Sequence, residues 1–444
     1  MQSHSYVVWT GFNYNECRES RMTPSRREFM LASLAATRAS RANEKSGFEM
    51  IELEGEARRY WSRWRGPSGQ GLVEGEGFPD RWSATENVVW QVDVPGQGNS
   101  APVVWGDHIF LTTAYDAGRR RSILAFDRKS GKQLWESFVP EADPKRVHRK
   151  NGYASAAPTT DGERVYAYFG GHGLLTVDFE GKHAWHRDFG EIDAYHGTAC
   201  SPLLHGSAVI LFQDHRGPGG SFAVALDRRS GNTIWRVDRS ERVGWGSPVA
   251  VRADGREEII VSSYRRVYSY DPRSGETLWS CGGNLVEVIP SPVAGRGLLF
   301  CCSGRAGPTL AIRSGGDGDI TDTHVAWRTG KGSPFVPSPL IYGEYLYMVN
   351  DMVSVATCYH AASGKLMWQG RLGEPISHGF SASPIGVDGK VYFTNDLGET
   401  YVLAAVPEFK LLHVNTLDER MLASPALVDG HWYLRTARRL LAIG

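Results

Sequence analysis

The chain has 444 residues, with 49 Lys+Arg against 49 Asp+Glu and 41% hydrophobic residues. The charge balance excludes the basic face of a nucleic-acid binder, and no apolar run reaches the ~20 residues of a membrane span. Six Cys make no disulfide scaffold at this length, and their spacings fit neither a zinc site nor a c-type haem attachment; the unusual count is 14 Trp.

Residues 1–45 read as an address rather than as structure. Seven Lys or Arg face four acids there. Ser25-Arg26-Arg27-Glu28-Phe29-Met30 resembles a twin-arginine export signal. Residues 31–36 form a short apolar core, and Thr37-Arg38-Ala39 offers a small-residue cleavage site. Met22 stands just before this stretch. The expected location is the periplasm or another exported compartment, or the cytoplasm if the signal does not function. Cys17 follows Asn13-Tyr14-Asn15-Glu16, which is no lipoprotein box, so no lipid anchor is expected. Residues 46–86 form a lead-in. Trp61, Trp64, Phe78 and Trp82 are too many aromatics for a free linker, so this stretch is expected to pack on the domain downstream of it.

From residue 87 the chain repeats. Ala101-Pro102, Ala157-Pro158, Ser201-Pro202, Ser247-Pro248, Ser291-Pro292, Ser338-Pro339, Ser383-Pro384 and Ser424-Pro425 recur at 41 to 56 residues. Each opens an apolar stretch that leads to a turn Gly. Pro can start a strand because it need not donate there, and Gly accepts the positive φ of a tight turn. A second element follows each first. Asp127…Gly131…Trp135, Asp227…Gly231…Trp235 and Asp271…Gly275…Trp279 share one spacing. His360…Gly364…Trp368 loses the Asp, and Asp178…Gly181…Trp185 is one residue shorter. Trp327 follows a stretched version, and Phe409-Lys410-Leu411 stands where a seventh Trp would fall. The Asp suits the turn amides.

Four short strands per unit of about 45 residues is the period of a propeller blade. The last unit stops at Leu440-Leu441-Ala442-Ile443-Gly444, a third strand, while Val88-Val89-Trp90-Gln91-Val92 stands alone before the first unit. The expected fold is therefore an all-β, eight-bladed β-propeller over residues 87–444. The strand around Trp90 completes the last blade and removes the free edges. Trp90, Trp135, Trp185, Trp235, Trp279, Trp327 and Trp368 are read as structural wedges between blades. Each buries on the order of 200 Å2, worth at most about 5 kcal/mol.

The run Leu-x-Ala-x-Asp-x-x-x-Gly-x-x-x-Trp around a ring resembles the tryptophan-docking propellers of the pyrroloquinoline-quinone (PQQ) repeat family. The resemblance covers about residues 60–444. The lead-in run Trp61-Ser62-Arg63-Trp64-Arg65-Gly66-Pro67, with Phe78-Pro79 and Trp82, is similar to that of bacterial PQQ-like propellers. Two functions are implied. One branch comprises quinoprotein alcohol and sugar dehydrogenases, which hold PQQ and Ca2+ over the channel. The other comprises binding propellers without quinone, including the scaffold of the outer-membrane β-barrel assembly machinery. Fold alone does not decide between them.

Quinone chemistry needs a base carboxylate, a hard cation held by oxygen ligands, and planar groups around the ring. Some dehydrogenases of the family stack the quinone on a disulfide between adjacent cysteines. Cys301-Cys302 lies instead within a strand, where neighbours point to opposite faces. The loops entering the inner strands and those joining second to third strands line one mouth. They carry the candidate ligand-binding residues His148, Asn151, Tyr195, His196, Asp214, His215, Trp245 and His378, with Lys150, Tyr153, Glu287, Arg305, Phe335, Phe380 and Asp396 nearby. No metal site and no confident catalytic residue emerges. Asp317-Gly318-Asp319-Ile320-Thr321-Asp322 lacks the Glu of a calcium loop, and no Gly-x-Ser-x-Gly elbow is present. The leading expectation is an exported, non-catalytic, monomeric propeller that binds a small ligand or a protein through its mouth, with no cofactor. The alternatives are a PQQ- and Ca2+-dependent dehydrogenase, and a hydrolase or lyase using His196 and Asp214 as acid and base.

Overall fold

Each Ser-Pro or Ala-Pro pair leads into a short inner strand, and three antiparallel strands follow it outward. The computed structural model describes residues 47–217, 219–305 and 307–444; the export-signal stretch and Cys17 lie outside them. The described residues form eight sheets and no α-helix. Blade 1 holds Val103–Trp105, His108–Tyr115, Arg120–Asp127 and Gln133–Phe138 in that order. Blades 2 to 7 repeat the pattern from Thr159, Leu203, Val249, Val293, Leu340 and Ile385. Blade 8 joins Ala426–Val428, His431–Arg435 and Arg439–Ile443 to Val88–Asp93. In that closing ladder Trp90 pairs with Ala442 and Asp93 with Arg439.

The Ser of the Ser-Pro pair has its own task. Ser201 Oγ accepts the amide of Ala157 (3.0 Å), Ser247 Oγ that of Ser201 (2.9 Å), and Ser291 Oγ that of Ser247 (2.9 Å). Ser338, Ser383 and Ser424 continue the series at 3.0, 3.0 and 2.9 Å. Six hydroxyls thus stitch the inner strands of neighbouring blades into a girdle. All six serines are buried. Ser291→Ala would strand the buried amide of Ser247, so it is expected to cost about 1–3 kcal/mol in urea unfolding. An unchanged midpoint would mean that another acceptor replaces the hydroxyl.

The second repeat element docks each blade on the next. Asp127 Oδ1 accepts the amide of Ser130 (2.8 Å), and Gly131 takes φ +72°. That Gly also makes room: a Cβ on it would lie 2.6 Å from the Trp90 ring. Gly181, Gly231, Gly275 and Gly364 receive Trp135, Trp185, Trp235 and Trp327 in the same way. Each of these five indoles donates to a carbonyl of the next blade, for example Trp135 Nε1 to Phe179 O (2.7 Å) and Trp235 Nε1 to Pro272 O (3.0 Å). Trp279 differs, because blade 5 has only the stretched turn. Its Nε1 donates within its own blade, to Glu258 Oε2 (2.7 Å). The stretched turn supplies Gly318–Asp319 instead, paired parallel to the outer strand that carries Trp279.

Where blade 7 lacks its Trp, the lead-in provides one. Trp82 is buried against Tyr392 and Trp432, with ring centroids 6.2 and 5.1 Å away, and its amide donates to Asn415 Oδ1 (3.1 Å). Upstream, the lead-in lies along the inner strands inside the ring. Phe48–Met50 adds a strand to blade 4. Trp61 O accepts from Val104 of blade 1 (2.8 Å) and Ser62 O from Thr160 of blade 2 (2.8 Å). Phe48 N donates to Gly297 O before the second strand of blade 5 (3.1 Å), and Gly71 O accepts from Gly386 of blade 7 (2.9 Å). Arg65 Nη2 donates to Pro339 O at the start of blade 6 (2.7 Å).

Candidate functional site

With the lead-in lying along the inner strands, the mouth side of the channel becomes a funnel of about 610 Å3. Trp64 of the lead-in is among the residues that line it. All eight inter-blade loops reach it, and so do the six girdle serines. These hydroxyls accept backbone amides and donate to no protein group among the described residues, so their hydrogens are free for a ligand.

Five of the eight candidate residues line this funnel: His148, Asn151, His196, Trp245 and His378. They form two walls. On one, the His196 ring lies 4.9 Å from His148 and 5.7 Å from Trp245, at 29° to the indole. Trp245 is pinned by its Nε1 donating to Gly197 O (2.8 Å). Burial, with His148 beside it, pushes the pKa of His196 down and favours the neutral ring. On the other wall His378 packs against Phe335 at 5.9 Å. Asn151 is a loop clamp, its Nδ2 donating to His196 O (2.8 Å) and Thr198 O (3.3 Å).

The other three lie elsewhere. Tyr195 and His215 line a neighbouring crevice of about 1010 Å3. The Tyr195 hydroxyl donates to Glu287 Oε1 (2.9 Å), and burial together with that bond raises its pKa to about 12. Asp214 is buried in a fork with Arg239, 2.9 and 3.2 Å long, so it does not stand with His196 as an acid–base pair.

The charged lining is one-sided. Arg149, Lys150, Arg305 and Arg420 reach the funnel against one carboxylate, Asp396. Asp396 bonds Lys150 Nζ (3.0 Å), tying the loop between blades 1 and 2 to blade 7, and Lys150 also donates to His378 O. Glu287 bonds Arg305 (2.8 Å). The sequence does not single out Arg149 and Arg420, and it marks Trp64 only as a packing aromatic, because none of the three belongs to the repeat. Asn395 forms its own turn, its Oδ1 accepting the amides of Leu397 and Glu399 (3.0 and 2.9 Å), whereas Asp351 Oδ1 reaches across to the Phe335 amide (2.8 Å) of the loop entering blade 6.

These residues do not fit a quinone with its hard cation. Calcium wants six to eight oxygens. The funnel's one carboxylate already serves a lysine, and the Asn151 amide is committed to clamping the neighbouring loop through its nitrogen. Among the described residues no three His, Cys, Asp or Glu gather as a metal group. Cys301 and Cys302 sit in the second strand of blade 5, Cys301 toward blade 4 and Cys302 toward blade 6. Both are free and buried, and burial raises the Cys302 thiol to about 12.

Comparison with known proteins finds both assembly-factor and quinoprotein relatives of this fold. The profile of a family described as outer membrane protein assembly factor BamB matches residues 81–191 and 219–351. Outer membrane protein assembly factor BamB of Burkholderia pseudomallei (strain K96243) is 23% identical over 273 residues, 59% of this chain and 64% of that protein. The chain thus spans under two thirds of the length of the curated relatives it matches. Among solved structures, BamB from Moraxella catarrhalis superposes with TM-score 0.57 at 12% identity, covering 80% of this chain and 96% of that one. Quinohemoprotein alcohol dehydrogenase from Comamonas testosteroni gives 0.59 at 11%, covering 87% and 81%. At these identities the structures show a shared fold.

Proposed function

Because the chain belongs to the PQQ-like repeat propellers, the family whose profile is described as outer membrane protein assembly factor BamB, we propose that it is an exported, non-catalytic scaffold that binds a ligand or protein partner at the funnel mouth. One observation carries this reading. Every inter-blade loop converges on one funnel, and the acids at its mouth are already engaged by cations. Such a site offers donors, positive charge and aromatic walls, which serve recognition, and it offers no free acid–base pair, which chemistry would need. Two of the lining cations, Arg149 and Arg420, bond no acid among the described residues, and this surplus favours an acidic ligand or partner face. Export rests on the twin-arginine-like stretch at Arg26-Arg27.

Two measurements test it together. The full chain is titrated calorimetrically with PQQ, with and without Ca2+. A photo-cross-linking residue is placed at His378 in the mouth or at Asp107, in the turn between the first two strands of blade 1. The expected result is no quinone binding up to high micromolar, and cross-links in an envelope extract from position 378 alone. Tight, Ca2+-dependent, one-to-one quinone binding would overturn the reading, as would cross-links from 107 alone.

A further inference from the structure

A second cavity of about 190 Å3 lies between the third strand of blade 1, the second-to-third-strand loop of blade 2 and the loops flanking blade 2. Arg121, from the third strand of blade 1, lines it and is only 7% exposed. Its Nε donates to Gly118 O (3.0 Å) and its Nη1 to Phe169 O (2.6 Å). Nη2 donates to no protein group among the described residues and is not sealed in the interior, so it is open to the cavity. No carboxylate bonds this guanidinium among the described residues. Burial lowers its pKa to about 10, the mark of a cation short of a counter-charge.

The surroundings hold the group in place. The Tyr153 ring covers the guanidinium, with Cζ 5.2 Å from its centroid. That ring lies on Gly118, at φ +92°, where a Cβ would come within 2.3 Å of it. Opposite, His172 is buried and shares a hydrogen bond between Nε2 and Arg119 O (3.0 Å). Gly152, Gly170, Gly171 and Gly197 leave the cavity wide. The acids at its rim are already paired: Asp143 bonds Arg119 (3.1 Å) and Glu191 bonds Lys145 (2.9 Å). Arg146 is left at the rim with no acid bonded to it among the described residues.

A buried cation held by two carbonyls has already borne most of its desolvation cost, and an anion on its free edge recovers part of it. The planar guanidinium fork matches a carboxylate best. We propose that this cavity is a carboxylate-binding site, separate from the funnel and independent of its occupancy. It has room for the carboxylate of a short organic acid or of a peptide C-terminus, with Arg121 as the anchor and Arg146 at the entrance.

The test uses the full chain, titrated calorimetrically with acetate, succinate, and a tripeptide with a free or an amidated C-terminus. Chloride and sulfate at matched ionic strength serve as controls. One-to-one carboxylate binding is expected, weakened about tenfold or more in Arg121→Gln, since bonds to a charged group are worth about 1.5–3 kcal/mol. Arg121 also braces two loops, so a second variant, Gly171→Val, blocks the cavity without touching it. A Cβ at Gly171 meets nothing closer than 3.8 Å, so this variant should fold, and it should lose binding to the same degree. Preference for the free over the amidated peptide identifies a chain end as the source; preference for succinate identifies a free acid. Either supports the site. Binding unchanged in Gly171→Val overturns it, and so does equal competition by chloride, or no carboxylate binding up to ~20 mM, where even weak sites report.

Discussion

Trp61→Ala is expected to lower the unfolding free energy by about 3–5 kcal/mol, the range for truncating a large buried aromatic. Trp61 belongs to the lead-in, not to any blade, yet it is wholly buried with Val104, Ile109, Ile385 and Val428. It therefore belongs to the apolar cluster that joins blade 1 to blades 7 and 8 across the closing blade. Its own carbonyl accepts from Val104, so losing the ring also loosens a backbone bond to blade 1. Trp64→Ala, three residues on, is the control. Trp64 is half-buried and lines the funnel, so its loss should cost less stability while altering ligand binding. Urea unfolding of both variants decides the matter. A loss under about 1 kcal/mol for Trp61→Ala would put the lead-in outside the cooperative unit.

That contrast marks where the sequence is legible. The blades are legible because they rest on local rules applied many times. Pro at a strand start, Asp and Gly in a turn, and Trp four residues later each act within a few residues of themselves, and eight copies average out the degenerate ones. Ring closure is legible because strand 88–93 and the last three strands are complementary fragments. The lead-in's path is not legible. Its bonds to Val104, Thr160, Ala250 and Gly386 run between backbones far apart in the chain, and nothing periodic announces them. The same holds for Trp82, which fills the gap left by blade 7 only because the closed ring brings residue 82 beside Asn415.

The site divides in the same way. Topology alone puts His148, His196 and His378 at one mouth, since all three enter inner strands. Whether a side chain then faces the funnel depends on its partners. Asp214 has the residue type and the loop of a mouth residue, yet Arg239 from the neighbouring loop takes it inward. Arg121 looks like an ordinary strand residue until Gly118, Phe169 and Tyr153 converge on it from three loops.

Gly231→Ala is expected to cost about 2–5 kcal/mol, and Gly206→Ala only about 1–2. Both glycines have positive φ, +71° and +56°. A residue with a Cβ there loses about 1–2 kcal/mol for the left-handed backbone alone. At Gly206, in the turn between the first two strands of blade 3, a Cβ meets nothing within 4 Å. At Gly231 it would lie 2.7 Å from Cδ2 of Trp185, which is held by its bond to Arg228 O (3.2 Å). Overpacking of that kind adds about 1–3 kcal/mol. A double-mutant cycle with Trp185→Ala isolates the second cost. If the docking contact is as tight as the geometry requires, Gly231→Ala should cost no more than Gly206→Ala once the indole is gone. Full additivity would mean that the ring slides aside at little cost. The Gly would then be kept for the turn, and adjacent blades would owe their attachment to the girdle serines and the apolar clusters between sheets.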